Sequence, residues 1–237
     1  MAGGETKINM LLFEGMTQLD LTGPYEVLAR MPGAKIELVG ETMQPVASDR
    51  GLAIVPTTTR DKAGPADLLV VPGGPGVDDA ILDPGWVEFV RRQAAGARWV
   101  FGICTGTLLL GAAGVLQGRR STGHWLARDL LAHFGATVSD ERMVVDGNLF
   151  TSGGVTAGID MALRVVAELK GEETAKRIQL QIEYEPEPPF HAGTPFTAPP
   201  ETVAAQRTAG AERRRIREAA VRKAAAALAA TAKARSA

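Results

Sequence analysis

The sequence predicts an α/β protein with a mostly parallel central sheet covered by helices on both faces. Strand-like and helix-like segments alternate along the chain. The central strands are continuously apolar rather than alternating, as strands buried on both sides are. Three sharply turning segments, around Asp20, Gly73 and Cys104, follow strand regions at one edge of the sheet, where such sheets place their functional crevice.

Residues 7–13 are the first strand, after the polar start Met1-Ala2-Gly3-Gly4-Glu5-Thr6-Lys7. Leu19-Asp20-Leu21-Thr22-Gly23-Pro24 reads as a turn, with Pro24 at the first position of a helix that runs to Met31. Ile36-Glu37-Leu38-Val39 alternates as a strand does. Residues 46–59 are rich in β-formers, with Asp49-Arg50-Gly51 as the turn between two strands. Residues 67–71 are a continuous apolar strand that runs into Pro72-Gly73-Gly74-Pro75-Gly76. A helix over 86–95 precedes the strand that starts at Trp99, and 108–113 continue as helix. Residues 121–134 are a connector and short helix carrying His124 and His133. Two strands follow within 137–154, joined at Asp146-Gly147, and then helices over 156–169 and 172–183.

This pattern divides the chain into a catalytic domain over 1–184, a proline-rich strap over 185–200 and a C-terminal basic helix over 201–237, interrupted only by Gly210. The helix is basic through Arg213-Arg214-Arg215, Arg217, Arg222, Lys223, Lys233 and Arg235. It lacks aromatic residues and a helix-turn-helix pattern, so it reads as a solvated helix packed through Ile216, Ala220 and Leu228 rather than a nucleic-acid binder. The formal net charge of −1 gives no general attraction to nucleic acid or membrane. No apolar run approaches ~20 residues, so no membrane span is expected. One cysteine cannot form an intramolecular disulfide, and the N-terminus lacks the regions of a signal peptide. A cytoplasmic setting is the expectation.

That single cysteine lies in Trp99-Val100-Phe101-Gly102-Ile103-Cys104-Thr105-Gly106. An apolar strand, a cysteine flanked at two residues by glycine on each side, and a following helix form the G-x-C-x-G elbow. The elbow pushes the side chain into the cleft and brings sulfur near the N–H groups that open the next helix, which favour a thiolate. The alternative is a buried, inert cysteine. Gly73 and Gly74 can offer backbone donors to charge developing on a substrate. Asp20, between two leucines, is a general acid/base if its carboxyl is desolvated, or else a turn-stabilising aspartate. His124 is the other conceivable proton partner of the cysteine. The residues alone leave that choice open. Thr105 can touch the substrate by hydroxyl or N–H. No spaced His/Cys/carboxylate cluster suggests a metal.

Leu19-Asp20-Leu21-Thr22-Gly23-Pro24-Tyr25-Glu26-Val27-Leu28, Val71-Pro72-Gly73-Gly74, Ile103-Cys104-Thr105-Gly106, His124-Trp125 and Gly153-Gly154-Val155-Thr156-Ala157-Gly158-Ile159-Asp160 resemble the ThiJ/PfpI superfamily. Gln179-Leu180-Gln181-Ile182-Glu183-Tyr184 and the segments beyond extend the likeness over nearly the whole chain. The resemblance implies a flavodoxin-like fold related to class I glutamine amidotransferase domains. It implies a cofactor-free homodimer that hydrates an isocyanide to an N-substituted formamide. Cys104 would attack the isocyanide carbon to give a thioimidate, with Asp20 rather than His124 moving protons. Thr105, Gly73, Gly74 and Val155 would line the substrate and oxyanion pocket. Gly123 and Val155 depart from the threonine and isoleucine common in relatives. A glyoxalase or deglycase, or a redox-sensing stress protein, would use the same cysteine. Related motifs also occur in regulators that add an AraC-type DNA-binding domain, and the ending at Ala237 leads to the expectation of a stand-alone enzyme.

Overall fold

The structure, a computed structural model, describes residues 4–236; Met1-Ala2-Gly3 and Ala237 lie outside it. Thr6–Leu11 (β1) leads into Gln18–Leu28 (α1), and Ala34–Gly40 (β2) returns beside the first strand. Val46–Ala47 (β3), Ala53–Ile54 (β4) and Thr58–Thr59 (β5) are short strands. Leu68–Val71 (β6) is followed by Val77–Ala80 (α2), Pro84–Gly96 (α3) and Trp99–Ile103 (β7). Gly106–Ala112 (α4) opens directly beyond the cysteine turn. Arg120–Ser121 (β8), a 3₁₀ helix at Arg128–Phe134 and Thr137–Val138 (β9) precede the hairpin of Met143–Asp146 (β10) and Leu149–Ser152 (β11). Ala157–Lys170 (α5), Glu172–Gln181 (α6), Pro200–Ala209 (α7) and Ala211–Ser236 (α8) follow.

The main sheet has seven strands in the order β10-β11-β7-β6-β1-β2-β5. Neighbours pair in parallel except β10 on β11. The connections β1–α1–β2 and β6–α3–β7 travel in opposite directions, so right-handed crossovers set α1 and α3 on opposite faces. On one face α1 packs on α5, and α5 on α6. On the other, α4 touches α2, α3 and α8. The reversal between β1 and β6 is the point at which an open sheet of this kind forms a crevice at its strand C-termini. Leu68, Leu69, Val70 and Val71 of β6 are wholly buried, which explains their lack of alternation. Each such side chain contributes about 1.5–3 kcal/mol by leaving water.

Several elements differ from expectation for identifiable reasons. The segment read as a turn around Asp20 is the first turn of α1, and Pro24 sits inside that helix. A proline there sacrifices one helical hydrogen bond. Packing outweighs the loss, because α5 passes close: a β-carbon at Gly158 would lie 3.1 Å from Pro24 Cγ. Helix α3 begins at Pro84, earlier than expected, because Asp83 caps it. Its Oδ1 accepts from the N–H groups of Gly85 (2.6 Å) and Trp86 (3.2 Å). Residues 137–154 contain a third strand, β9, which pairs with β8 outside the main sheet. The basic C-terminal segment forms two helices that break at Gly210. Ala220 and Leu228 pack against the core as expected, but Ile216 is 42 % exposed, and Arg217 is buried in its place beside Ala220, Val221 and Ala224. Residues 185–199 hold neither helix nor strand.

Candidate active site

Strand β7 ends at Ile103 and α4 starts at Gly106, so Cys104 and Thr105 make the whole turn. Cys104 has φ +57°, a left-handed conformation that costs a non-glycine residue about 1 kcal/mol or more. Its surroundings enforce it. The Cys104 N–H lies 3.0 Å from the Ser152 carbonyl oxygen and 3.2 Å from that of Gly153, at the end of β11. A β-carbon at position 106 would strike the carbonyl oxygens of Val71 and Pro72. The second glycine of the elbow is therefore a requirement of close packing.

Asp20 is completely buried in the first turn of α1. Its Oδ2 accepts from the N–H of Gly73 at 3.0 Å, while Oδ1 has no partner of regular geometry. The neighbouring side chain that acts on this carboxyl is the Cys104 thiol. Burial pushes the Asp20 pKa up from 3.8 to about 7, against smaller lowering by Cys104 and the Gly73 N–H, with Asp49 raising it further. The thiol is also pushed above its ordinary value, by burial first and then by the Asp20 carboxylate. The N–H groups of Thr105 and Val155 pull it down, but by less. This corrects the expectation of a helix-stabilised thiolate: at rest the sulfur keeps its proton. The two groups share at most one negative charge near neutrality, because a second would be both desolvated and repelled.

The structure brings Asp20, Gly73, Gly74, Cys104, Thr105 and Val155 together. The glycine donors, however, are already engaged. The Gly73 N–H holds Asp20, and the Gly74 N–H donates to Thr105 Oγ1 at 2.9 Å. The Thr105 hydroxyl donates back to the Gly74 carbonyl oxygen at 3.1 Å, so its one proton is engaged within the loop. Val155 lies at φ +41°, rare for a β-branched residue, and its N–H faces the sulfur. His124 packs on Gly154, where a β-carbon would meet its Cδ2 at 2.6 Å, and its Nδ1 accepts from the Leu126 N–H at 3.3 Å. Burial, then Arg217 and Arg128, lower its pKa to about 4, so the ring is neutral. A cleft of about 370 Å³, lined in part by Gly123, His124, Trp125, Arg128, Val155 and Phe196, adjoins the cysteine turn through Gly123 and Val155, while Cys104, Thr105 and Asp20 are not part of its lining.

Sequence reasoning missed two groups here. Asp160, to which the sequence assigned no role beyond its place in the Gly153-to-Asp160 motif, accepts from Tyr184 Oη at 2.6 Å and pairs with Arg142 at 2.7 Å beside Thr156. Arg217 and Asp78 form a buried pair next to the Gly74 loop. A heptad-like reading of α8 would have flagged Arg217, since it falls on the same stripe as Ala220, Val221 and Ala224. Among the described residues no group of three or more His, Cys, Asp or Glu could hold a metal ion, and no helix is long and apolar enough to cross a membrane.

Fold and site together define an α/β protein whose elbow cysteine faces a buried carboxyl at the sheet's switch point. The chain belongs to the DJ-1/PfpI family, whose pattern matches residues 6–168. It is 51% identical over 197 residues to an isonitrile hydratase of Pseudomonas putida, covering 83% of this chain and 86% of that one. A crystal structure of a ThiJ/PfpI family protein from Pseudomonas syringae superposes with a TM-score of 0.90 at 41% identity, covering 93% and 92% of the two chains. A glutathione-independent glyoxalase of Caenorhabditis elegans is 27% identical over 175 residues, 73% of this chain and 93% of its own.

Proposed function

We propose that the protein hydrates isocyanides to N-substituted formamides, with Cys104 as nucleophile and Asp20 as the group that moves protons. The observation that carries this reading is the buried thiol–carboxyl pair, in which Asp20 titrates near 7. A carboxyl at that value accepts and returns a proton at neutral pH with little bias either way. The identity to the Pseudomonas putida hydratase supports the choice of substrate.

As sulfur bonds to the terminal isocyanide carbon, the thiol proton passes to Asp20 and from there to the same carbon. Sulfur and hydrogen both end on carbon, and a C=N bond remains: a thioimidate. Water then adds across C=N, its hydroxyl to carbon and a proton to nitrogen, with Asp20 taking a proton from water and returning one. The tetrahedral intermediate loses sulfur. The C–S bond breaks, the hydroxyl proton leaves through Asp20 to the sulfur, and the formamide departs. The Thr105 and Val155 N–H groups lower the cost of negative charge on sulfur during each step. Gly73 and Gly74 hold Asp20 and Thr105 in place, and the cleft beside Trp125 and Phe196 receives the substituent on nitrogen. No cofactor enters this scheme. The same reading treats residues 185–200 as a strap and the working form as a cytoplasmic homodimer. Leu180 and Phe190, 82 % and 79 % exposed, are surfaces a second copy would cover.

The pH dependence follows from Asp20. Only its carboxylate form can accept the thiol proton, so kcat/KM should rise with pH through about 7 and level off above it. A profile with its acid limb near the ordinary carboxylate value would contradict the assignment.

The glyoxalase relative makes a second reading concrete. Purified protein should convert para-nitrophenyl isocyanide to the formamide and leave methylglyoxal unchanged. Turnover of methylglyoxal with none of the isocyanide would replace the first reading by the second.

A further inference from the structure

Among the described side chains of helix α8, one charged group, that of Arg217, is buried in the protein. Arg217 and Asp78 are both buried, and Arg217 Nε donates to Asp78 Oδ1 at 2.6 Å. Arg213, one turn earlier, reaches Asp78 Oδ2 at 3.4 Å. On its other side the Arg217 guanidinium meets the Gly74 carbonyl oxygen, with Nη2 at 3.4 Å. That carbonyl also accepts from the Thr105 hydroxyl at 3.1 Å and from the Val77 N–H at 3.3 Å, and the N–H of the preceding Gly73 holds Asp20. Side chains cannot brace this loop. Gly73 and Gly74 have none, and Gly74 lies at φ +129°, a conformation open to glycine. The orientation of its peptide groups rests on their hydrogen bonds. The Thr17 N–H donates to the Gly73 carbonyl oxygen at 2.9 Å, and Arg217 serves the next carbonyl along.

A buried ion pair is not required to dock α8. Ala220, Val221 and Ala224 already pack there, and an apolar residue at 217 would hold the helix at least as well. We propose that Arg217 is a positioning residue of the Cys104–Asp20 site: anchored by Asp78, it fixes the Gly74 peptide so that the loop presents the Gly73 N–H to Asp20 and the Gly74 N–H to Thr105. The proposal rests on Cys104 and Asp20 as the reacting pair, not on which substrate they meet. The charged and titratable groups involved are few. Asp78, Arg213 and the neutral His124 surround Arg217, while Cys104 and Asp49 face Asp20. Without Arg217 the loop relaxes, Asp20 loses its Gly73 donor, and its ionised form is less favoured.

The test is the pH dependence of Cys104 alkylation by iodoacetamide in the full-length protein, which needs no substrate. The variants are Arg217→Met, Arg217→Met with Asp78→Asn, and Arg217→Lys. The double variant leaves no buried unpaired carboxylate, so it should melt near the wild-type temperature. Its alkylation midpoint, which follows the titration of Asp20, should still move up by at least about half a unit. Arg217→Lys keeps the charge but not the two-sided reach, and should show a smaller shift of the same sign. A folded double variant with the wild-type midpoint would overturn the proposal, leaving Arg217 as a docking residue only. Should the double variant fail to fold, Arg217→Lys decides by the same criterion: no shift overturns it.

Discussion

Replacing Cys104 with serine is expected to abolish isocyanide turnover, by about 10⁴-fold or more, the scale of losing an attacking side chain. The reason is acidity rather than size. A carboxyl that titrates near 7 can take a proton from a thiol, but not from a hydroxyl many units less acidic. Serine fills nearly the same volume and can adopt the φ of +57° on the same terms as cysteine. The backbone contacts to Ser152 and Gly153 do not depend on the side chain. Stability should therefore change by only about 1 kcal/mol. Formamide production measured beside a thermal melt separates the two effects: lost activity with a retained melt is the expected result.

Asp20→Asn should have opposite consequences for activity and stability. Asparagine can still accept the Gly73 N–H through its carbonyl oxygen, so the loop contact survives. It cannot carry a proton between sulfur, carbon and water, and kcat should fall by roughly 10²–10⁴-fold with the acid limb removed. The stability argument starts from the same burial. Asp20 binds its proton up to about pH 7 when folded and only to 3.8 in its unperturbed state. Between those values the folded protein holds the extra proton, so stability falls as pH rises through the window. The loss amounts to up to about 4 kcal/mol, at roughly 1.4 kcal/mol per unit. The neutral amide escapes it. The variant should therefore melt several degrees higher than wild type at about pH 8, with the difference fading below about pH 4. Equal melting temperatures at both pH values would mean that the carboxyl is not held at a cost in the folded chain. A buried, strained pair that lowers stability is the trade expected of a reactive centre.

The parts of this site that local chemistry dictates were legible in the sequence. A strand, two glycines and a helix specify the Cys104 elbow within eight residues, and the Asp146-Gly147 hairpin is equally local. Asp20 was legible as a residue but not as a helical one. Pro24 argues against a helix until Gly158 of α5 is known to receive it. The occupancy of the Gly73 and Gly74 donors depends on Asp20 and Thr105, which lie 53 and 31 residues away in sequence. No pattern in a glycine-rich turn reveals that. The balance of charge at the sulfur was misjudged for a related reason. The helix-opening N–H groups can be read from the elbow, whereas the burial that outweighs them is a property of the packed sheet edge. Arg217 and Asp78, separated by 139 residues, were hidden in a run of basic residues that resembles a solvated surface.

The most direct test of the account is the intact mass of the protein during turnover of para-nitrophenyl isocyanide, quenched in acid and mapped by peptide. Because the thiol adds across one carbon without loss of any atom, the account predicts a gain equal to one whole isocyanide, located on Cys104. The gain should persist longer in Asp20→Asn, where water attack is slowed, and be absent in Cys104→Ser. Undiminished formamide production by Cys104→Ser, with no adduct on the wild-type cysteine, would contradict covalent catalysis at this site.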